Sequence, residues 1–349
     1  MAQTNYTPSQ KMAMFNQATR QNMHMLPTVS CAGGAQTLSM LMPKSRLLAK
    51  ILLKVEARIA SKGNETTVRV NPNKIISRFS LDLNNGFSPF VISGEELHVY
   101  NMLSIHAKAF DSLASNDVTV KCGTTQTEDT VTMYYELPLT LNDRDPQGLI
   151  LLQNAETNVQ LSASIGMGND ILIGNNNGVK TGFTVELKEV KISGCTVTYS
   201  IPAVSEAFPD LSVLKLTNGV AHSFLGSGVN TVKLSTGTIY RKLILMFEDE
   251  DGKPLKPSDF TSDIQLVFNQ ADINYSISAE MLRDVNNIEL DTAMPDGVYV
   301  LDFSSQGFTN FGGTRDLIDT ELLTEFWVKF GTTKRGKVSI VSECIARVR

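Results

Sequence analysis

The sequence is poor in the residues on which enzyme chemistry is most often built. Its 349 residues include four cysteines, four histidines and one tryptophan. Cys31, Cys122, Cys195 and Cys344 lie far apart and form no C-x-x-C pair, so neither a zinc site nor a disulfide framework is suggested. Reduced thiols in a cytoplasmically made protein are the plain reading. His24, His98, His106 and His222 show no H-E-x-x-H or comparable ligand spacing. No G-x-S-x-G elbow occurs, and no glycine-rich phosphate loop sits between a strand and a helix. Ile165-Gly166-Met167-Gly168 and Phe311-Gly312-Gly313 are isolated glycine clusters that read as corners. Asp249-Glu250-Asp251-Gly252 lacks the alternating carboxylates and distal glutamate of a calcium loop and reads as a hairpin turn. Glu95 and Glu96 are adjacent, so they point in different directions, at a helix start where the dipole favours acids anyway. No catalytic residue, metal ligand or cofactor site is assigned, and the chain is read as a non-enzyme.

Other absences are regional. No apolar run approaches the roughly 18–20 residues of a membrane span, and no signal peptide is read at the start. Residues 1–55 contain no acid, yet carry Lys11, Arg20, Lys44, Arg46, Lys50 and Lys54. The rest of the chain holds 25 basic and 36 acidic residues, so a net charge of −5 divides into a basic arm and a body of −11. Such an arm suits an anionic surface or another subunit. No basic stripe interleaves with aromatics, so no direct sequence-specific nucleic-acid partner is expected. The lone Trp327 stands in an alternating strand, where it reads as core or interface and not as an exposed sugar platform.

What the chain does have is a succession of short alternating segments. From Thr130 to Leu141, Val131, Met133, Tyr135, Leu137 and Leu139 alternate with polar residues or proline, a period of two. Pro138 cannot donate to a ladder, so that strand is expected to lie at a sheet edge or to end there. Asn142-Asp143-Arg144-Asp145 is turn chemistry. Lys44–Ala60 is rich in helix formers, but Ile51, Leu53, Val55, Ala57 and Ile59 alternate with mostly polar neighbours, so the period predicts a strand from about residue 47. Many such strands, with turn signals every 8 to 12 residues, point to two sandwiches.

The pattern recurs weakly. A strand at Arg78–Leu83 closes on Asn84-Asn85-Gly86 and is followed by a serine-capped helix, Ser93–Asn101. Arg241–Phe247 closes on the turn at 249–252, and a second serine-capped helix follows at Ser278–Asn286. Gly297–Asp302 then takes the place of Thr130–Leu141, and Thr157 and Thr324 each open an alternating run. The expected division is an N-terminal helix and extended arm over residues 1–43, a first module over 44–204 and a second over 205–349. Residues 1 to about 27 read as a helix opened by Thr7-Pro8-Ser9, either an arm that docks on a partner or a lipid headgroup layer or an amphipathic helix packed on its own domain. Pro27–Pro43 reads as a connector, and Gly166–Gly182, including Asn175-Asn176-Asn177-Gly178, as a polar loop.

In this order, the Ser-Gly helix with His98 and Asn101, the run Met133-Tyr134-Tyr135-Glu136-Leu137-Pro138-Leu139 with Gly148, Met294-Pro295-Asp296-Gly297-Val298-Tyr299 and the opening Met1-Ala2-Gln3 resemble the major capsid protein of the tailless, internal-membrane bacteriophages, the tectiviruses. The resemblance implies an all-β double jelly roll, two eight-stranded sandwiches side by side, with a short N-terminal helix and one short helix in each half. It implies a homotrimer of pseudo-hexagonal outline that tiles an icosahedral shell around a lipid membrane. The partners so implied are neighbouring capsid trimers, penton and minor capsid proteins, and inner membrane lipid. Carried onto this sequence, Lys11, Met12, Phe15 and Arg20 form a membrane-facing or inter-capsomer arm, and Arg347 and Arg349 a C-terminal tying region. The spacing from Gly86 to Glu96 is short for a loop of that family, which implies low external towers. The alternatives are a jelly-roll receptor- or carbohydrate-binding virion protein and a β-sandwich hydrolase, which the single tryptophan and the lack of a converging acid pair respectively disfavour.

Overall fold

The computed structural model describes residues 6–84, 86–103, 116–141, 146–153, 158–173, 182–269, 272–304 and 317–347. Met1-Ala2-Gln3, His106, the turn at 142–145, Thr157, the asparagine run at 175–177 with its Gly178, the glycine pair at 312–313 and Arg349 lie outside them.

Strands are the dominant element of the described chain, and they fall into two modules of one topology. The first module uses β1 (Gln21–Met25), β2 (Val29–Ala32), β3 (Thr37–Leu41), β4 (Leu47–Gly63), β6 (Ile76–Leu83), β7 (Phe87–Ile92), β9 (Thr127–Pro138), β11 (Val159–Ile165) and β12 (Phe183–Tyr199). The second uses β13 (Val213–Phe224), β14 (Val229–Lys233), β15 (Ile239–Asp249), β16 (Phe260–Phe268), β17 (Asp272–Ile277), β18 (Val298–Asp302), β20 (Phe326–Thr332) and β21 (Gly336–Arg347). With β1 and β2 as one interrupted strand, each module has eight strands. In both, one sheet runs in the order 1-8-3-6 and the facing sheet in the order 2-7-4-5, which is a jelly roll. Short strands β10 (Ile150–Leu151) and β19 (Ile318–Asp319) extend β4 and β15 at matching places, and β5 (Thr67–Val70) pairs with β8 (Val118–Lys121).

Alternation explains the sandwich faces. Along β4, Ile51, Leu53, Val55, Ala57 and Ile59 are all buried, while Lys50, Leu52, Lys54, Glu56 and Arg58 face outward. Period two therefore overrides helix propensity here, because a 17-residue strand paired on both sides buries one whole row. Pro138 is the last residue of β9, whose described partner is β4 alone, so it sits where no further ladder bond is needed.

The modules share more than a boundary. β13 pairs in parallel with β7 at Thr217↔Phe90 and Asn218↔Val91, so two of the four sheets run on as one. The outward row of the second module's 1-8-3-6 sheet, with Ile244, Met246, Val298, Val300 and Val341, joins the first module's core. The opposite row, with Leu243, Leu245, Phe247 and Tyr299, fills the second core. β15 is thus buried on both faces, which is why its sequence is a continuous apolar run.

Three helices complete the described fold: α1 (Pro8–Ala18), α2 (Gly94–Met102) and α3 (Ala279–Glu289). Thr7 and Ser93 head capping boxes with Gln10 and Glu96, and the Ser278 side chain accepts from the Met281 amide. α2 and α3 lie between strands five and six of their modules, and each carries an asparagine eight residues after its cap serine. The Asn101 amide donates to the Glu136 carbonyl (2.8 Å) and accepts from the Glu136 amide (3.0 Å). Asn286 does the same to Val300, at 2.8 Å in both directions. The two helices share S-x-E-x-L-x3-N, and this pair of clamps fixes the register between the modules residue by residue.

Several expectations change. Residues 21–41 are not the end of a helix followed by a connector; they form β1, β2 and β3, paired with β12 and β11. The stretch from Gly86 to Glu96 is not a loop but holds β7 and the start of α2. The duplication is real, but β15 corresponds to β4 and not to the Arg78–Leu83 strand β6, whose counterpart is β16. The match of β9 with β18 is as read, and the runs after residues 157 and 324 are β11 and β20, which occupy the same place in each module.

Candidate assembly surfaces and the junction between modules

The expected arm residues are not alike. Phe15 is 2% exposed and packs with Leu47, Ala49 and Leu149, its ring edge-on to Tyr199 at 5.6 Å. It therefore does not face a membrane or a neighbour; it pins α1 to its own chain. Lys11 and Arg20 are exposed and Met12 is half-buried. The Arg20 amide donates to the Ser200 hydroxyl (2.9 Å) and its carbonyl accepts from the Ser200 amide (3.0 Å), which ends the arm and begins β1. Arg347, the last described residue, is exposed at the end of β21. Hydrogen bonds from Ser212 hold the Asp210 carboxyl below its usual range, and Lys11 and Arg347 both add to this. The N-terminal helix and the C-terminal strand thus converge on one acid between the modules.

At that same end a charged cluster is buried in the junction. Glu343 of β21 meets Arg241 of β15 at 2.8 Å and Lys215 of β13 at 3.4 Å, each side chain less than 5% exposed. The first module closes the network: the Tyr100 hydroxyl of α2 donates to Glu343, and Lys215 donates to the Thr140 carbonyl at 3.3 Å and lies over the Tyr100 ring. Beside it, Lys242 pairs with Asp302 at 3.1 Å. Burial alone would raise the Glu343 carboxyl, but the Lys215, Arg241 and Lys242 charges outweigh it and hold it at about 2. Burial pushes the Tyr100 phenol far up, with the adjacent carboxylate adding to it, and pushes the Lys215 amine down. A buried set of paired charges fixes relative position more than it stabilises.

The opposite end opens into a cleft of about 990 Å³ between the modules, lined by Lys74, Glu95, Glu248, Arg335 and Lys337 among others. Lys74 lies 3.6 Å from both Glu95 of α2 and Glu248 of β15, so a second ion-pair chain crosses the junction. The turn at 249–252 lies on its rim, and no group among the described residues could hold a metal ion. His98 is buried on α2, and His24 and His222 lie on β1 and β13, strands of different sheets. Trp327 is half-buried on β20, with Lys329 over its ring at 5.2 Å.

No protein-family model and no curated relative matches the sequence. Solved structures do match over nearly the whole chain. The major capsid protein of Sulfolobus turreted icosahedral virus has a TM-score of 0.66 at 14% identity, covering 94% of this chain and 97% of that one. The fold is the double jelly roll of viral major capsid proteins. The PBCV-1 virus capsid aligns at a TM-score of 0.66 and 9% identity over 99% of this chain and 95% of that one. Major capsid protein P2 of bacteriophage PM2 aligns at 0.55 and 9% over 94% and 98%. The double jelly roll expected from the sequence is therefore present. Sequence reading did not single out Glu343, Lys215 or Arg241, whose ion-pair partners stand more than a hundred residues away. The repeated S-x-E-x-L-x3-N was a signal that could have located both clamps.

Proposed function

We propose that this chain is a structural major capsid protein that trimerises into pseudo-hexagonal capsomers and tiles an icosahedral shell around an internal lipid membrane. The observation that carries the reading is two equivalent jelly rolls locked by one shared core and one continuous sheet, in a chain whose full length follows major capsid proteins. Three copies of such a pair present six similar walls. The work of the protein is then assembly, without a catalytic step. The arm is residues 1–20, and the first jelly roll starts at Gln21. Lys11, Met12 and Arg20 face membrane lipid or the adjoining capsomer, each cation contributing about 1 kcal/mol near an anionic surface. Arg347 and Arg349 belong to the region that ties neighbouring trimers, and the penton and minor capsid proteins complete the shell.

The test is the mass of the purified chain by size-exclusion chromatography with light scattering, before and after mild denaturant, followed by electron microscopy of concentrated material. A stable particle of three times 38.2 kDa that forms hexagonal arrays is expected. A protein that stays monomeric at every concentration, forms no array and binds a glycan saturably would replace this reading with that of a virion binding module.

A further inference from the structure

The register between modules shows what each module leaves uncovered. Aligning Ser93 with Ser278 places Glu96, Tyr100 and Leu103 of the first helix region opposite Met281, Val285 and Ile288 of the second. Glu96, Tyr100 and Leu103 are all buried. The second module covers the first two: Glu96 packs against Gly219 of β13, and Tyr100 bonds Glu343 of β21. Met281 and Ile288 are instead 56% and 76% exposed, while Leu282 and Asn286 on the inward side are as buried as Leu97 and Asn101. α3 therefore carries a second apolar stripe at i, i+4 and i+7, exposed at both ends and half-buried at Val285, that no described part of the chain covers fully.

The covering face has its own bare counterpart. The clamps equate Val300 with Glu136, and the strand registers then carry Val300–Ile244–Val341–Gly219 onto Glu136–Leu52–Cys195–Met25. The first row lies in the junction. In the second, Met25 is 74% exposed and Leu52 and Cys195 are half-buried, with Met23 (58%) beside them. The strand edges repeat the pattern. β7 and β13 are joined in parallel inside the chain, whereas their counterparts β17 and β1 each pair on one side alone among the described residues. A half-used apolar face and a free edge on both modules, in matching places, fit one occupant.

We infer that a second copy of this chain covers them: the sheet face of Met23, Met25, Leu52 and Cys195 seats on the α3 stripe of Met281, Val285 and Ile288 in the next copy, repeating between chains the contact made within one. This deepens the capsomer reading and rests on it. In the repeat, Gly219 against Glu96 becomes Met25 against Met281, an apolar pair. The contact is heterologous, so it builds a ring if the rotation closes.

The test uses full-length M25D and I288D, both at exposed positions that leave the cores intact, with circular dichroism to confirm folding. Each variant alone is expected to be monomeric where the wild type is trimeric. An equimolar mixture is expected to give one-to-one pairs, because it restores one intact sheet face and one intact helix stripe. Variants that stay trimeric, a homodimer of either one, or monomers that do not pair on mixing would each overturn the inference while leaving a trimeric wild type, and so the capsomer reading, standing. A wild type that is itself monomeric at every concentration would overturn both.

Discussion

The hydroxyl of Tyr100 donates to the carboxylate of Glu343 across 243 positions of sequence, and so across the seam between two jelly rolls. The bond belongs to a network in which Lys215 and Arg241 also depend on that one acid.

Removing the acid is expected to be severe. Glu343→Ala leaves two buried cations without their counter-charge, a loss of about 3–5 kcal/mol. Tyr100→Phe removes a single bond and is expected to lose about 1–2 kcal/mol, since Lys215 and Arg241 still hold the carboxylate. Urea unfolding midpoints of the two variants check the ordering, and equal losses would show that the cations do not rely on Glu343.

The asparagine clamps make a second pair of tests. Asn101→Ala and Asn286→Ala each leave a strand amide and carbonyl without their partner, expected to lose about 2–4 kcal/mol apiece. The two sites sit in different modules and share no partner, so the double variant is expected to lose the sum. Denaturant titration of the three variants measures it.

Stability is expected to fall with rising pH around neutrality. Burial raises the Glu95 carboxyl from 4.5 to about 7, opposed by Lys74 and reinforced by Glu248. The folded state then holds the proton more tightly than the unfolded chain. That contribution is complete below 4.5 and is lost as pH rises through 7. Glu343 runs the other way: its contribution is present above 4.5 and lost as pH falls through about 2. Glu95→Gln is therefore expected to gain on the wild type at pH 8 and to show no gain at pH 4. A difference between the two proteins that is constant with pH would exclude Glu95 as its source.

The arm has a defined end. Deleting residues 1–20 is expected to leave a folded, soluble protein that has lost binding to anionic vesicles, measured by co-sedimentation at low and high salt. Deleting residues 1–25 also removes β1 and its five paired positions on β12, and is expected to lower the melting temperature further. Phe15→Ala is expected to release α1 while leaving β1 in place, seen as faster amide exchange confined to residues 8–19.

Local patterning was enough to read the all-β class, the doubling, the place of both internal helices and the strand character of residues 47–60. Each of these rests on a local rule: period two along β4, a serine cap before α2 and α3, proline at the end of β9. The tertiary structure decided the rest, because the deciding partners are remote. Residues 21–41 are strands only because β12 and β11 lie ready to pair with them, and their short segments carry too few alternations to declare it. Phe15 reads as an arm residue until Tyr199 and Leu149 close over it. Lys215, Arg241 and Glu343 look like ordinary surface charges of a strand, since nothing within a dozen residues tells that a second sandwich will take both faces of the sheet out of water and leave those charges to one another and to Tyr100 and Thr140 of the other module.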